Sequence, residues 1–149
     1  MTRLKIDFGI DLGTTNSAIA VYDNGKTKMY RTDTQRDTMP SCVMVTKKGF
    51  MVGDKAYAQL PKDKKKAFTD LAFKSNIFIE FKRTMGNSIK YKTDSGSELS
   101  SEELSSEVLK TLKSYVDDEK VKPAIITIPA AFEMNQINAT KKAAELAGL

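Results

Sequence analysis

An α/β fold built on a mixed sheet is what this sequence predicts, on three observations. Ile6, Phe8, Ile10 and Leu12 alternate with other residues, and Ile19 and Val21 resume the alternation after a Gly-Thr-Thr-Asn turn, the period of half-buried strands. Leu104, Val108, Leu112 and Tyr115 or Val116 place one apolar face on a later helix. A short apolar strand over 123–129 then leads directly into a second helix over 133–146. Strand meander, helix, strand, helix is the order of an α/β layer.

The 149 residues, 40% of them apolar, make one domain of ordinary size with room for a sizeable core. Twenty-four Lys and Arg against nineteen Asp and Glu give a formal charge of +5. That suits an anionic ligand but is too mild and dispersed to argue for nucleic acid. Cys42 is the one cysteine and there is no His, so an internal disulfide and every imidazole-based site are excluded, and a reducing cytosol is the economical compartment. The start, MTRLKIDFGID, carries Lys5, Asp7 and Asp11 where a secretion signal needs an unbroken apolar stretch. No run approaches the roughly twenty residues of a membrane span, so a cytoplasmic protein without membrane or nucleic-acid partners is expected.

The first strands enclose GIDLGTTNSAIAVYDNGKT, residues 9–27, which holds two candidate phosphate loops. Ala20-x-x-x-x-Gly25-Lys26-Thr27 is a relaxed P-loop pattern. It is the weaker of the two, because a P-loop precedes a helix, whereas Val21 and Tyr22 are strand formers and residues 28–31 offer no helical apolar face. Asn24-Gly25 between strand-like runs instead signals a two-residue hairpin, in which both central residues take positive φ. The second candidate is Asp11 followed by Gly13, Thr14, Thr15 and Asn16. A turn there can aim backbone amides and two hydroxyls at one anion, with Asp11 holding the anion's Mg²⁺ through water. On these five positions alone, an ordinary polar turn explains the pattern as well.

Further along, residues 40–46 and 50–52 read as two short strands joined by Lys47-Lys48-Gly49, and Asp54 as the cap of a helix running to Leu60. The lysine-rich stretch 61–66 reads as a solvated loop. Segment 76–86, NIFIEFKRTMG, fits strand through Ile77, Ile79 and Phe81 and helix through Ile77, Phe81 and Met85. Helix is preferred, closed by Gly86, with Lys82 and Arg83 near its end, where cations suit the helix dipole. After a polar stretch, Ser100-Ser101-Glu102-Glu103 is a capping box for the helix with the apolar face. The short strand over 123–129, PAIITIP, reads as buried, and the last helix closes at Gly148. The Asn138-Ala139-Thr140 glycosylation sequon falls inside that helix and is read as chance.

With these residues in place, GIDLGTTNSAIAV resembles the first phosphate motif of the actin, hexokinase and heat-shock 70 superfamily. RDTMPS at 36–41, NIFIEFKRTMG around Lys82, and ITIPAAF running into NQINATKKAAELAGL narrow the resemblance to the DnaK-type chaperone ATPase domain. The motifs span nearly the whole chain in the family's order. The resemblance implies a partial ribonuclease H-like, actin-like ATPase lobe, formed by residues 1–39 and 101–149, with residues 40–100 as its inserted small subdomain. It implies that Gly13, Thr14, Thr15, Asn16 and Lys82 bind ATP, and that Asp11 faces hydrated Mg²⁺. Thr14 and Lys82 then stand at the γ-phosphate, Lys82 as the catalytic lysine. Pro129 matches the switch between the nucleotide site and a substrate domain.

Unfolded client proteins and co-chaperones are the partners the resemblance implies for a longer parent, cycling between ATP and ADP. An actin-like assembly protein and a sugar kinase are the alternatives within the superfamily. Two positions depart from the family pattern: Ala131 stands where an aromatic is usual, and Ile137 where a relay arginine is usual, so coupling to a substrate domain is expected to be altered. The chain stops at Leu149, short of a second phosphate loop and a second lobe. By itself it is therefore expected to be inactive and to self-associate.

Overall fold

The computed structural model describes residues 6–118, 120–121 and 123–149; Lys5, read above against a secretion signal, lies outside them. Strand β1 (Phe8–Leu12) turns through residues 13–15 into antiparallel β2 (Asn16–Asp23), which pairs in turn with β3 (Lys26–Met29). Asn24 and Gly25 take φ of 46° and 78°, and Asp23 pairs with Lys26, so the expected two-residue hairpin is present and the relaxed P-loop is not. β4 (Met39–Pro40) adds to β2 through Asn16 and Ser17. On the other side β10 (Ala124–Thr127) runs parallel to β1, in register from Phe8 opposite Ala124 to Asp11 opposite Thr127. The order β10-β1-β2-β3 is thus a mixed sheet, as the alternation predicts.

β1 buries Phe8, Ile10 and Leu12 on one face and leaves Gly9 and Asp11 on the other. The buried face packs against helix α2 (Ser101–Ser114) through Leu104, Val108, Leu109 and Leu112, and against helix α3 (Met134–Leu146) through Ala139 and Ala143. The apolar face expected of α2 is therefore the centre of the core. Ser100 caps α2 as expected, its Oγ accepting from the Glu103 amide at 3.1 Å. At α3, Glu133 and Gln136 form a reciprocal capping box, and Gly148, at φ 80°, follows the C-cap.

A second sheet, in the order β6-β5-β7, comprises β5 (Cys42–Thr46), β6 (Gly49–Val52) and β7 (Ile77–Ile79). Helix α1 (Asp54–Thr69) lies on it, enclosing a small core of Cys42, Ala56 and Ile77. A hairpin of β8 (Lys90–Lys92) and β9 (Glu98–Ser100) occupies the polar stretch before α2.

Several local expectations are corrected. The strand expected over 40–46 breaks at Ser41, whose amide donates to Thr15 and so leaves the ladder. Gly53, not Asp54, is the N-cap of α1: it sits at φ 91°, and a Cβ there would fall 2.7 Å from the Met39 side chain. α1 does not stop at Leu60 but carries Pro61 and the lysines for two more turns. The proline removes the hydrogen bond to the Tyr57 carbonyl on an exposed stretch, where water replaces it. Segment 76–86 is not an α-helix. Residues 77–79 join the β5 edge, Glu80 turns the chain at φ 56°, and Phe81–Thr84 form one 3₁₀ turn. Pairing with β5 outweighs a helical stripe of only three apolar residues. Finally β10 is half-exposed rather than buried, with Ile125 60% exposed.

Leu104 is fully buried where α2 meets the main sheet. Leu104→Ala should therefore cost about 2–5 kcal/mol of unfolding free energy, read as a lower urea midpoint at unchanged slope. A loss well under 1 kcal/mol on that scale would remove α2 from the centre of the core.

Candidate functional site

Because β1 and β10 are parallel neighbours, their carboxyl ends open on the same side, the edge where open α/β sheets bind ligands. Asp11 is exposed there, and Thr127 on β10 donates its hydroxyl to Asp11 Oδ1 at 3.0 Å. The chain after β10 turns at Pro129, whose carbonyl accepts from the Phe132 amide at 3.1 Å, and the turn carries Phe132 back toward the same edge.

Lys82 arrives from the other sheet. The 3₁₀ turn that bears it is fastened to the start of α2, where the Thr84 hydroxyl hydrogen-bonds Ser101, and to β8, where it meets Tyr91 OH at 2.8 Å. Held in this way, the Lys82 ammonium donates to the carbonyl of Leu12, the last residue of β1, and lies 5.6 Å from the centre of the Phe132 ring. Partial burial pulls its pKa below the ordinary lysine value, while the nearby Asp11 carboxylate pushes it up. The Leu12 carbonyl also favours the charged form, because only the ammonium has all its protons to donate. Lys82, Asp11 and Pro129 thus share one end of the sheet. Phe132 and Thr127 are the participants that sequence reasoning missed. The aromatic in the loop between the strand and the Glu133 cap was the available signal, since a loop aromatic with no apolar stripe to join is free to face a site.

The turn at residues 13–15 is tightly built. A Cβ on Gly13 would lie 2.0 Å from the Asn16 carbonyl oxygen, so only glycine fits without moving the backbone. The Gly13 carbonyl accepts from Ser41 Oγ at 2.8 Å, Ser41 Oγ in turn meets the buried Ser17 Oγ at 2.8 Å, and the Ser41 amide donates to Thr15 at 2.9 Å. These contacts engage carbonyls and serine hydroxyls. They leave the amides of Thr14 and Thr15 without a backbone acceptor among the described residues. Asn16 donates to the Thr15 hydroxyl at 3.3 Å. Thr14, Thr15 and Asn16 border a cavity of about 250 Å³ that also meets Arg36, Tyr57 and Glu80.

The donor set fits a polyphosphate with a hydrated divalent ion. The Gly13 turn offers amides and hydroxyls of the kind an anion takes, Lys82 brings an ammonium to Leu12 at the start of that turn, and Asp11 offers a single exposed carboxylate. Among the described residues no cluster of three or more acidic, Cys or His side chains could cage a metal. A lone carboxylate fits an ion that keeps much of its water and takes its other ligands from phosphate, as Mg²⁺ does. Ile137 is half-buried and lines an apolar groove between β10 and α3 with Ile126, Ala144 and Leu149, so its side chain matches its surroundings where an arginine would not. Ala131 is exposed.

Comparisons with known proteins bear on the family of the chain. The family described as Hsp70 protein matches residues 7–149. The chain is 37% identical over 152 aligned positions to the chaperone protein DnaK of Ureaplasma urealyticum serovar 10, and 35% identical over 152 to that of Mycoplasma mycoides subsp. mycoides SC. All of this chain is covered in both, against 23% and 24% of the relatives, so it spans about a quarter of their length.

Next to this turn, burial at the junction of the two sheets pushes the Cys42 thiol up to about 12, from 9.0 for a free one. A raised folded-state value means that the contribution is intact below pH 9 and is lost as pH climbs toward 12. The urea midpoint should therefore fall across that window more steeply than in Cys42→Ala, and at neutral pH a thiol reagent should label Cys42 only as fast as the chain unfolds. Labelling at the rate of a free thiol would contradict its burial.

Proposed function

Because the chain belongs to the Hsp70 family, we propose that it is part of the nucleotide-binding unit of a DnaK-type chaperone, whose parent binds and hydrolyses ATP to drive the binding and release of client proteins. The convergence of Asp11, Thr127, Lys82 and Phe132 beside the Gly13 turn carries this reading. The family match favours it over an actin-like assembly protein or a sugar kinase. In its finer detail the main sheet with α2 and α3 is a ribonuclease H-like lobe from residues 1–39 and 101–149, and residues 40–100 are the inserted subdomain. The separate β6-β5-β7 sheet with its own small core under α1 supports that division, although Val43, Phe81 and Met85 also enter the main core and Pro40 pairs with the main sheet.

The amides of Thr14 and Thr15, with the Thr14 hydroxyl and Asn16, hold the phosphates, and Gly13 permits the close turn. Asp11, its carboxylate held by Thr127, would hold the hydrated Mg²⁺. Bound Mg²⁺ supplies charge neutralisation on the phosphates and polarises the transferring group. The Lys82 ammonium keeps its proton against burial with the help of Leu12 and Asp11. Its preset direction offsets the charge that grows on the transferring phosphoryl group, so little reorganisation is needed during reaction. Phe132 excludes water from one side of that ammonium and makes its field stronger. Pro129, in the turn that delivers Phe132, is placed to sense the state of the site and is the switch toward a substrate domain. The half-buried Ile137 on the next helix cannot relay that state through forked hydrogen bonds. The cytoplasm is the compartment consistent with this cycle, and among the described residues no helix is long and apolar enough to cross a membrane.

Lys82→Ala in the full-length parent should lower single-turnover hydrolysis by about two to three orders of magnitude while ATP affinity stays within several-fold. Near-normal turnover in that variant would leave Lys82 with only its contact to the β1 carbonyl. The 149-residue chain itself offers one wall of a nucleotide site. Charge-assisted hydrogen bonds of about 1.5–3 kcal/mol each leave little surplus over the cost of immobilising the ligand. Calorimetry with Mg-ATP should give millimolar or weaker binding and no hydrolysis. Light scattering should find dimers or larger species, because Ile6, Tyr22 and Ile125 are exposed at one region of the sheet. A monomer with micromolar ATP affinity would overturn this account of the chain alone.

A further inference from the structure

The far end of α1 is unlike the rest of the surface. Phe68 is 90% exposed and Leu71, just past the helix, is 98% exposed, more than any other large apolar side chain described. Tyr57, Pro61, Lys64 and Phe68 follow one another at steps of four, three and four residues, so they form a single outward stripe. Ala56 and Leu60, which pack on the β5 sheet, lie on the adjoining face of the helix. Lysines crowd this stripe: Lys62, Lys64, Lys65 and Lys66 are all exposed.

The charge there is uncompensated. Lys28, Lys55, Lys92 and Lys110 each pair with a carboxylate, whereas Lys62, Lys64 and Lys65 form no ion pair among the described residues. The two acids in the segment are engaged locally, Asp63 by the Ser75 hydroxyl and Asp70 by the Ala72 amide at 3.0 Å. Lys66 lies over Phe73 with its ammonium 4.7 Å from the ring centre, which anchors the loop after the helix and keeps Phe68 and Leu71 outermost.

We propose that this end of α1 is a docking surface for an anionic lipid bilayer, with Phe68 and Leu71 entering the headgroup boundary and Lys62, Lys64 and Lys65 lying against the lipid phosphates. The charge decides the class of partner, since Lys62, Lys64, Lys65 and Lys66 outnumber the two carboxylates, Asp63 and Asp70, and the net positive patch complements a negative surface. The exposure decides for lipid over an acidic polypeptide: Phe68 and Leu71 project almost fully into solvent, as interfacial helices present apolar side chains, and the concavity beside Phe68 is shallow and open. Contact of this kind lies on the membrane and needs no spanning helix. It uses none of the residues assigned to the nucleotide site.

Flotation of the 149-residue chain with vesicles tests it, because self-associated protein stays at the bottom of the gradient. The chain should float with vesicles of phosphatidylcholine mixed with phosphatidylglycerol, stay down with phosphatidylcholine alone, and release as salt is raised. Neutralising two lysines in Lys64→Gln with Lys65→Gln should weaken binding about 30-fold, at about fivefold for each lysine. Phe68→Ser should weaken it at unchanged charge, and both variants should keep the wild-type circular dichroism because every altered side chain is exposed. No flotation with the anionic vesicles at low salt, or equal flotation of wild type and both variants, would overturn the proposal. Capture by polyglutamate without flotation would also overturn it, and would assign the face to an acidic polypeptide.

Discussion

The hydrogen bond from the Lys82 ammonium to the Leu12 carbonyl is the contact on which the arrangement of the site depends. Leu12 ends β1 in the main sheet, while Lys82 stands on the 3₁₀ turn that follows β7 in the other sheet. One side chain therefore ties the two layers together at the point where the Gly13 turn begins. The bond spends a strong charged donor on a neutral acceptor and holds it partly buried, which is unfavourable unless other groups support the charge. Asp11 and the face of Phe132 provide that support. A cation held in this way is already directed when an anion arrives.

What holds Lys82 in place is ordinary packing and capping. Phe81 and Met85, on either side of the turn, are buried in the same core as Leu104 and Val108 of α2. The Thr84 hydroxyl joins Ser101, next to the Ser100 cap. Core, cap and turn thus converge on one lysine, and the rigidity a charged site needs comes from apolar burial rather than from more charges. Ser41 does the corresponding task for the Gly13 turn. By leaving the strand ladder it binds the Gly13 carbonyl, the Ser17 hydroxyl and Thr15 at once, and the amides at the tip remain available.

Where sequence reading succeeded, one local rule dominated. The β1–β2 alternation, the Asn24-Gly25 hairpin, the Ser100 cap and the α2 face each follow from residues a few positions apart. It went astray where a distant partner settled a near tie. Residues 77–79 carry apolar side chains that satisfy either period, and the open edge of β5 decided for strand. Pro61 marks a helix stop locally, yet the helix runs through it to Thr69, because the one hydrogen bond the proline removes falls on an exposed stretch.

The sequence by itself determined the α/β class, the opening strands, the two later helices, the tight turn at Gly13 and the family to which they belong, because each is written in short-range pattern and motif. Which residues share a site was decided only by the tertiary structure. Thr127 reaches Asp11 through a parallel register across more than a hundred residues, Phe132 reaches Lys82 through the turn at Pro129, and Lys82 meets Leu12 only because two sheets pack at the start of α2. Parallel pairing and sheet packing bring together positions that no local period connects, and the chemistry of the site lies in those long-range contacts.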